Sequence, residues 1–402
     1  MKSVLVLPAG IYQLPAVLKA KELGCRVITA DNNPQNPGHQ YADRAEFVSA
    51  TDKEKILSLA QDENIDAIFT MASDIALETV AFVTGALGLN KVMKSEHLET
   101  IYTKHKFRQF MQDNCFNYPA YSFASSFKEF KLALSVVGFP ALLKPSAASG
   151  SKGLYYLDDL KYYPHHELEK LFSTAQSYSR NGIVCLEQFI EGRDISGDAL
   201  IIDGLVVFCE ITNKYLTPQP EFVPIGHSVP STLRDSKKNE IISLLQKAVR
   251  ALGIKNCGLN FDIILAGDLL YIIEMSPRLG GNCIQNVIKH GTGLDLVESA
   301  LLVAMGEKPG LKEYVTSPTG VRILGGGHDG VLISHASLSE LKRKHPGIME
   351  LQFDIMPGAA VKRFTQGAYR IGHVVCKADS VSALENELNT IEEELEITIE
   401  GV

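Results

Sequence analysis

The stretch Gly258 to Asn282, GLNFDIILAGDLLYIIEMSPRLGGN, decides how the rest of this chain is read. Two runs rich in β-branched, aromatic and apolar residues, Leu259–Leu265 and Leu269–Met275, flank Ala266-Gly267-Asp268. The pattern predicts a β-hairpin whose glycine supplies positive φ. With a three-residue loop Leu265 faces Leu269. Asn260, Asp262, Ile272 and Glu274 then share one face, and Leu259, Phe261, Ile263, Tyr271, Ile273 and Met275 the other. Asp262 opposes Ile272, with Glu274 its diagonal neighbour about 7–8 Å away. Two carboxylates closing on a mostly apolar hairpin are costly unless a cation neutralises them. Oxygen ligands without Cys or His nearby point to Mg²⁺, which takes one or two carboxylates plus substrate phosphates. The plainer alternative is an amphipathic hairpin with acids on its wet face. Arg278 and the glycines just beyond it favour the metal.

At 402 residues the chain has room for two or three domains with full hydrophobic cores. Its 45% hydrophobic and 21% charged residues are those of an ordinary globular protein. A net charge of −8 gives no support to a nucleic-acid or anionic-membrane partner, so phosphate would have to be caught by local Lys and Arg. The seven cysteines form no Cys-x-x-Cys pair, which argues for reduced thiols rather than a disulfide frame or zinc site. Val4-Leu5-Val6-Leu7 is too short for a signal sequence, and no run reaches membrane-spanning length. The expected location is cytoplasmic.

Residues 1–90 alternate strand and helix, which implies a parallel sheet with crossover helices. The loop Pro8–Tyr12 lacks Gly-x-Gly-x-x-Gly spacing, so a dinucleotide site is not expected. A small ligand near Gly10, Asp31 or Ser73-Asp74 stays open beside the reading of these residues as turns. Ser95 to Asp113 reads as one basic amphipathic helix. The apolar strand Ala141–Lys144 runs into a string of small residues ending at Gly153. Such a string lets backbone N–H groups approach an oxyanion, with Ser149 and Ser151 as extra donors, although alone it is also what a surface loop looks like. Ile195–Ile202 and Leu205–Thr212 form a hairpin around Asp203-Gly204, and residues 213–235 read as a long, proline-rich loop.

The order strand-Lys144, small-residue loop, Glu187-Gln188-Phe189-Ile190, then Asp262…Glu274 with Arg278 resembles the ATP-grasp superfamily over nearly the whole chain. The resemblance implies an α/β and α+β fold with a parallel-sheet pre-ATP-grasp domain (1–100) and a two-lobed ATP-grasp domain (101–310, with a mobile lid at about 115–195). A small C-terminal α+β unit (311–402) follows. It implies ATP and Mg²⁺ as ligands, with Mn²⁺ as a substitute. Lys144 would contact the α/β-phosphates and Lys104, with Lys106 as its fallback, would be the first nucleotide lysine. Ser149, Gly150, Ser151 and Gly153 would belong to the flap, Glu187 to Ile190 would read the adenine edge, and Asp194, where the pattern favours Glu, would hold the ribose. Asp262, Glu274 and Ser276 would ligate the metal, with Ser276 standing where Asn is usual. Arg278 would sit beside the transferred phosphoryl and the acyl intermediate, with Gly281 and Asn282 toward the substrate.

The chemistry implied is phosphorylation of a carboxylate, followed by displacement of phosphate by an amine, with water excluded from the labile intermediate. The partners implied are a small carboxylic acid and an amine, with a homodimer as the companion expectation. Ile225–Pro230 resembles a Gly-His-x-x-Pro element of amino-acid ligases, in which His227 would orient the amino acid or shuttle a proton; the alternative is a structural histidine. The other enzymatic alternative activates bicarbonate or formate, as purine-pathway carboxylases and transformylases do. A non-catalytic nucleotide-binding protein on the same scaffold is the third reading.

Overall fold

The computed structural model describes residues 1–148, 152–159 and 162–401. Apolar strands Ser3–Val6, Arg26–Ala30 and Ala67–Phe69 form a parallel sheet in the order 26–30, 3–6, 67–69. The three-residue edge strand Arg44–Glu46 extends it, too short and too charged to stand out in the sequence. Leu14–Glu22, Lys53–Asp62 and Leu77–Leu87 are the helices of this part.

The helix expected over Ser95–Asp113 is two helices, Ser95–Tyr102 and Lys104–Asp113. Thr103 is extended between them, at φ −107 and ψ 104. The break has a tertiary cause: the Lys104 amide donates to Ser146 O at 2.9 Å, not to the preceding turn. It sets Lys104 at the head of a helix facing the small-residue segment. That segment leaves a four-stranded antiparallel sheet in the order Tyr121–Ala124, Val184–Gln188, Ala141–Pro145, Tyr155–Leu157. Helices Phe127–Val137 and His165–Tyr178 cover it through Phe130, Phe172 and Leu143.

An eight-stranded antiparallel sheet carries the hairpin at one edge. Its order is Leu269–Ser276, Cys257–Ala266, Arg193–Ile202, Leu205–Leu216, Pro224–Val229, Thr319–Gly325, Arg370–Lys377, Ile348–Phe353. The long loop expected at 213–235 is corrected here. The strand continues to Leu216, and Pro224 opens another, where a missing N–H is tolerated at the first strand position. The sheet also runs without a break past residue 310, since His227 pairs with Val321.

The hairpin differs from expectation in a way that matters. Its loop is two residues, Gly267-Asp268, with Ala266 opposite Leu269 and Gly267 at φ +59. A bulge then adds Ile273 to the second strand, so that Ile263 faces Ile272 but Asp262 faces Glu274 directly. Ile272 accordingly lies in the core with Leu259, Phe261 and Ile263, under Ile241, Leu245 and Ala248 of helix Asp235–Ala251. The opposite face alternates polar groups: Asp194, Ser196 and Asp198 on one strand, Asn260 and Asp262 on the next. A second core joins Val4, Val6 and Ala16 to Leu279, Ile284 and Ile288, fastening the parallel sheet to the segment that leaves the hairpin. No described helix is long and apolar enough to cross a membrane.

Gly197 shows how closely this sheet is packed, because a Cβ there would meet the backbone oxygen of Glu210 and the Phe261 ring. Gly197→Ala should therefore lower unfolding stability by about 1–3 kcal/mol, read by denaturant titration.

Candidate active site

The bulge at Ile273 brings two carboxylates face to face, and Lys214 answers one of them. Its Nζ lies 2.9 Å from Asp262 Oδ2. Burial opposes the Asp262 charge, but Lys214 outweighs it and holds the carboxyl below its ordinary range. Glu274 is exposed and has no hydrogen bond or ion pair among the described residues. Among the described residues no three His, Cys, Asp or Glu side chains gather into a metal cage. Two opposed carboxylates, one without a partner, fit a hard cation that takes its remaining ligands from water and phosphate. Ser276 does not join them in this structure: its hydroxyl donates to Asp74 Oδ1 at 2.7 Å.

Lys144 and Glu187 form a buried pair at 2.7 Å. Arg108 completes it, with Nε 3.0 Å from Glu187 Oε1 and Nη2 3.2 Å from Oε2. Burial alone would raise the Glu187 carboxyl, but Arg108 and then Lys144 reverse that and hold it well below its usual range. The same guanidinium donates to Ile273 O at 2.9 Å and Ile272 O at 3.4 Å, gripping the bulge. Glu187 thus acts here through its side chain. Farther along the expected adenine-reading segment, the Gln188 and Phe189 amides already donate to Ala120 O and Pro140 O. Lys104 reaches the small-residue loop, its Nζ 2.8 Å from Ala148 O. Ser149, Gly150 and Ser151 lie outside the described residues; Gly153 follows at φ +66.

Arg278 is half-buried and does not pair with Asp262 or Glu274. Its Nη2 and Nε lie 2.7 and 2.9 Å from Asp74 Oδ1, and Nη1 donates to Leu279 O and Asn260 Oδ1. Asp74 belongs to the parallel-sheet part, which is stitched to this loop by Ala72 N donating to Leu279 O at 2.9 Å. Asp198 fixes the loop from below, accepting from Gly280 N, Asn260 Nδ2 and Gln285 Nε2. Burial pushes its carboxyl up to about 6 despite those donors. Gly280 has no space for a side chain, because a Cβ would stand 2.6 Å from Asn260 Nδ2. Gly281 faces Ala72 and Tyr12, and Asn282 adopts φ +52 beside Gly367. His227 is buried, with Nδ1 3.2 Å from Thr212 Oγ1; burial and Lys214 push its imidazole down to about 3, so it is neutral. Asp194 lines the same floor, its carboxyl raised by burial.

Two residues of this site are not marked by the sequence: Lys214 lies in a segment that reads as loop, and Arg108 inside what reads as an ordinary basic helix. Asp74 belongs to the Ser73-Asp74 turn, one of the early ligand candidates. Asp31, the other early candidate, is fully occupied by Ala9 N, Asn33 N and Asn36 Nδ2 and acts as a turn residue.

Comparison with known proteins agrees with this geometry. The family model of the ATP-grasp domain matches residues 137–286, and that of the L-amino acid ligase C-terminal domain 2 matches residues 326–400. The chain thus carries an ATP-grasp domain followed by an L-amino acid ligase C-terminal domain. The solved L-amino acid ligase from Bacillus licheniformis superposes with a TM-score of 0.86 at 20% identity, over 100% of this chain and 99% of that one. Phosphoribosylglycinamide synthetase from Anaerococcus prevotii gives 0.77 at 23% identity, over 99% and 100%. Among curated sequences, the uncharacterized protein y4rH of Sinorhizobium fredii (strain NBRC 101917 / NGR234) is 25% identical over 308 residues. The match covers 76% of this chain and 62% of that protein. The carbamoyl phosphate synthase large chain of Caldanaerobacter subterraneus subsp. tengcongensis is 24% identical over 74% of this chain and 27% of its own.

Arg108→Met would leave the Glu187 carboxylate with one cation and strand the bulge carbonyls. Denaturant unfolding should show a loss of about 3–5 kcal/mol, with Arg108→Lys losing less because it keeps the charge.

Proposed function

We propose that this protein is an ADP-forming ligase that phosphorylates a carboxylate and couples the acyl phosphate to an amine, with an α-amino acid among its substrates. The observation that carries the reading is Arg278 beside Asp74, 2.7 Å apart, on the loop leaving the carboxylate pair. An α-amino acid presents a carboxylate and an ammonium together, and adjacent Arg and Asp groups are complementary to both. The match of residues 326–400 to an L-amino acid ligase domain supports the same class.

Each residue then has a part in the reaction. Lys144 and Lys104 neutralise phosphate oxygens, and Glu187 with Arg108 fixes where the Lys144 ammonium stands. Asp262 and Glu274 would hold Mg²⁺, which when bound supplies charge neutralisation for phosphoryl transfer. The planar fork of Arg278 stabilises the oxygen that gains charge as the amine attacks. Ser149 to Gly153 would close over the phosphates and exclude water from the labile acyl phosphate. Gly281 and Asn282 face the N-terminal Tyr12 and the C-terminal Gly367, a position suited to the second substrate. Neutral, buried His227 is suited to positioning its neighbours rather than to carrying a proton.

The test is phosphate release from ATP with pooled L-amino acids, compared with bicarbonate or formate plus a phosphoribosyl amine. Amino-acid-dependent release is expected; release driven only by bicarbonate or formate would replace this reading with that of a purine-pathway-type enzyme. Absence of turnover in every mixture, with ATP still bound, would leave a nucleotide-binding protein. In the amino-acid reaction Arg278→Lys should lower kcat about 10²-fold with ATP affinity little changed, since Lys keeps the charge and loses the fork. The pH profile gives a separate check on His227. Because its imidazole titrates near 3, His227→Gln should leave the shape of the kcat/KM profile between about pH 5 and 9 unchanged. A limb near neutrality that vanishes in the variant would make His227 a proton carrier.

A further inference from the structure

Lys214 sits at the centre of the polar floor. It comes from the part of strand Leu205–Leu216 that pairs with Pro224–Val229, where its cross-strand partner is His227. On its other side the strand Arg193–Ile202 brings Asp194, next to the Asn213–Ile195 pair, and beyond it lies Asp262 with Glu274 opposite. Its side chain is only 10% exposed, and the charged groups facing it are Asp194, Asp262 and Glu274, with His227 neutral. Burial works against the ammonium, and Asp262 followed by Asp194 overrides it, so Lys214 stays charged. The contact is made to the same Asp262 carboxylate that faces Glu274, which has no side-chain partner among the described residues.

We infer that Lys214 is the resident counter-cation of the carboxylate pair, neutralising Asp262 until a divalent cation displaces its ammonium. This rests on assigning the metal to Asp262 and Glu274. Two like charges facing each other across a strand pair repel unless a cation lies close, and one ammonium answers only one of them. A divalent cation reaching between them meets the Lys214 ammonium already on Asp262, and two cations do not share that oxygen without repulsion. Metal loading and lysine release are therefore one exchange. The four-carbon stem of lysine permits the swing, and Asp194, the other carboxylate beside it, offers the ammonium a new partner.

The test is Mn²⁺ binding to the full chain, followed by the electron paramagnetic resonance of the free ion, with and without ADP. Lys214→Met should bind Mn²⁺ at least tenfold more tightly than the wild type, whereas Lys214→Arg, which keeps a cation in place, should stay near the wild-type affinity. Lys214→Gln is read in the same way as Lys214→Met should the latter fail to fold. Equal or weaker Mn²⁺ binding without the lysine would overturn the exchange and make Lys214 an ordinary structural partner. Glu274→Gln separates this from the site assignment: if it leaves Mn²⁺ binding intact, the metal lies elsewhere and the proposed reaction loses its footing independently of Lys214.

Discussion

Everything at this site depends on holding two carboxylates opposite one another on an antiparallel pair. Directly opposed side chains have Cβ atoms about 4.5–5.5 Å apart, close enough for strong repulsion and close enough to share one cation. A regular ladder would not place them so. With the two-residue loop that this hairpin uses, Asp262 would face Ile273, and only the bulge moves Glu274 into register. Bulges persist when their surroundings over-determine them, and here Arg108 accepts that task by donating to both carbonyls of the Ile272-Ile273 step. Because the same guanidinium clasps Glu187, which in turn holds Lys144, the position of that lysine and the position of the carboxylate pair are set by one side chain.

A second dependence runs between the parallel sheet and the loop that leaves the hairpin. Leu279 is both an apolar anchor in the core shared with Val4 and Val6 and the acceptor for Ala72 N. That docking delivers Asp74 to Arg278 and Ser276. The N-terminal part is thus a contributor to the site, although its own strand ends carry no free ligand-binding carboxylate at Asp31. Asp198 does from within the sheet what Asp74 does from outside. It caps Gly280 and ties Asn260, so the turn holding Arg278 is fixed on two sides.

How much of this was legible follows from which interactions are local. The hairpin, the alternation in residues 1–90 and the apolar strand running into Lys144 could be read because strand patterning and glycine punctuation are local signals, whereas Lys104 was pointed to only by the family resemblance. The register was not, because a bulge leaves no mark on composition and is specified by Arg108, some 160 residues earlier in the chain. The break at Thr103 was hidden for the same reason, since the Lys104 amide is taken by the carbonyl of Ser146, in the turn after strand Ala141–Pro145. Prolines between 218 and 230 masked a strand whose ladder partners come from the C-terminal part, and Lys214 was lost with it. Ser276 was implied as a ligand by the family resemblance; the partner that takes its hydroxyl lies 202 residues away.

The charge pattern gives a reason for the buried ions that stability does not. Replacing a buried ion network by well-packed apolar side chains is often neutral or stabilising, so Arg108, Glu187 and Lys144 are poorly explained as props for the fold. Two cations share one carboxylate there, which leaves that half of the cleft positive, and Lys104 adds to it. On the facing floor Asp194, Asp262 and Glu274 outnumber Lys214, which leaves that half negative. A polyphosphate carrying a divalent cation has the inverse arrangement, anionic oxygens on one side and a metal on the other, and would neutralise both halves at once.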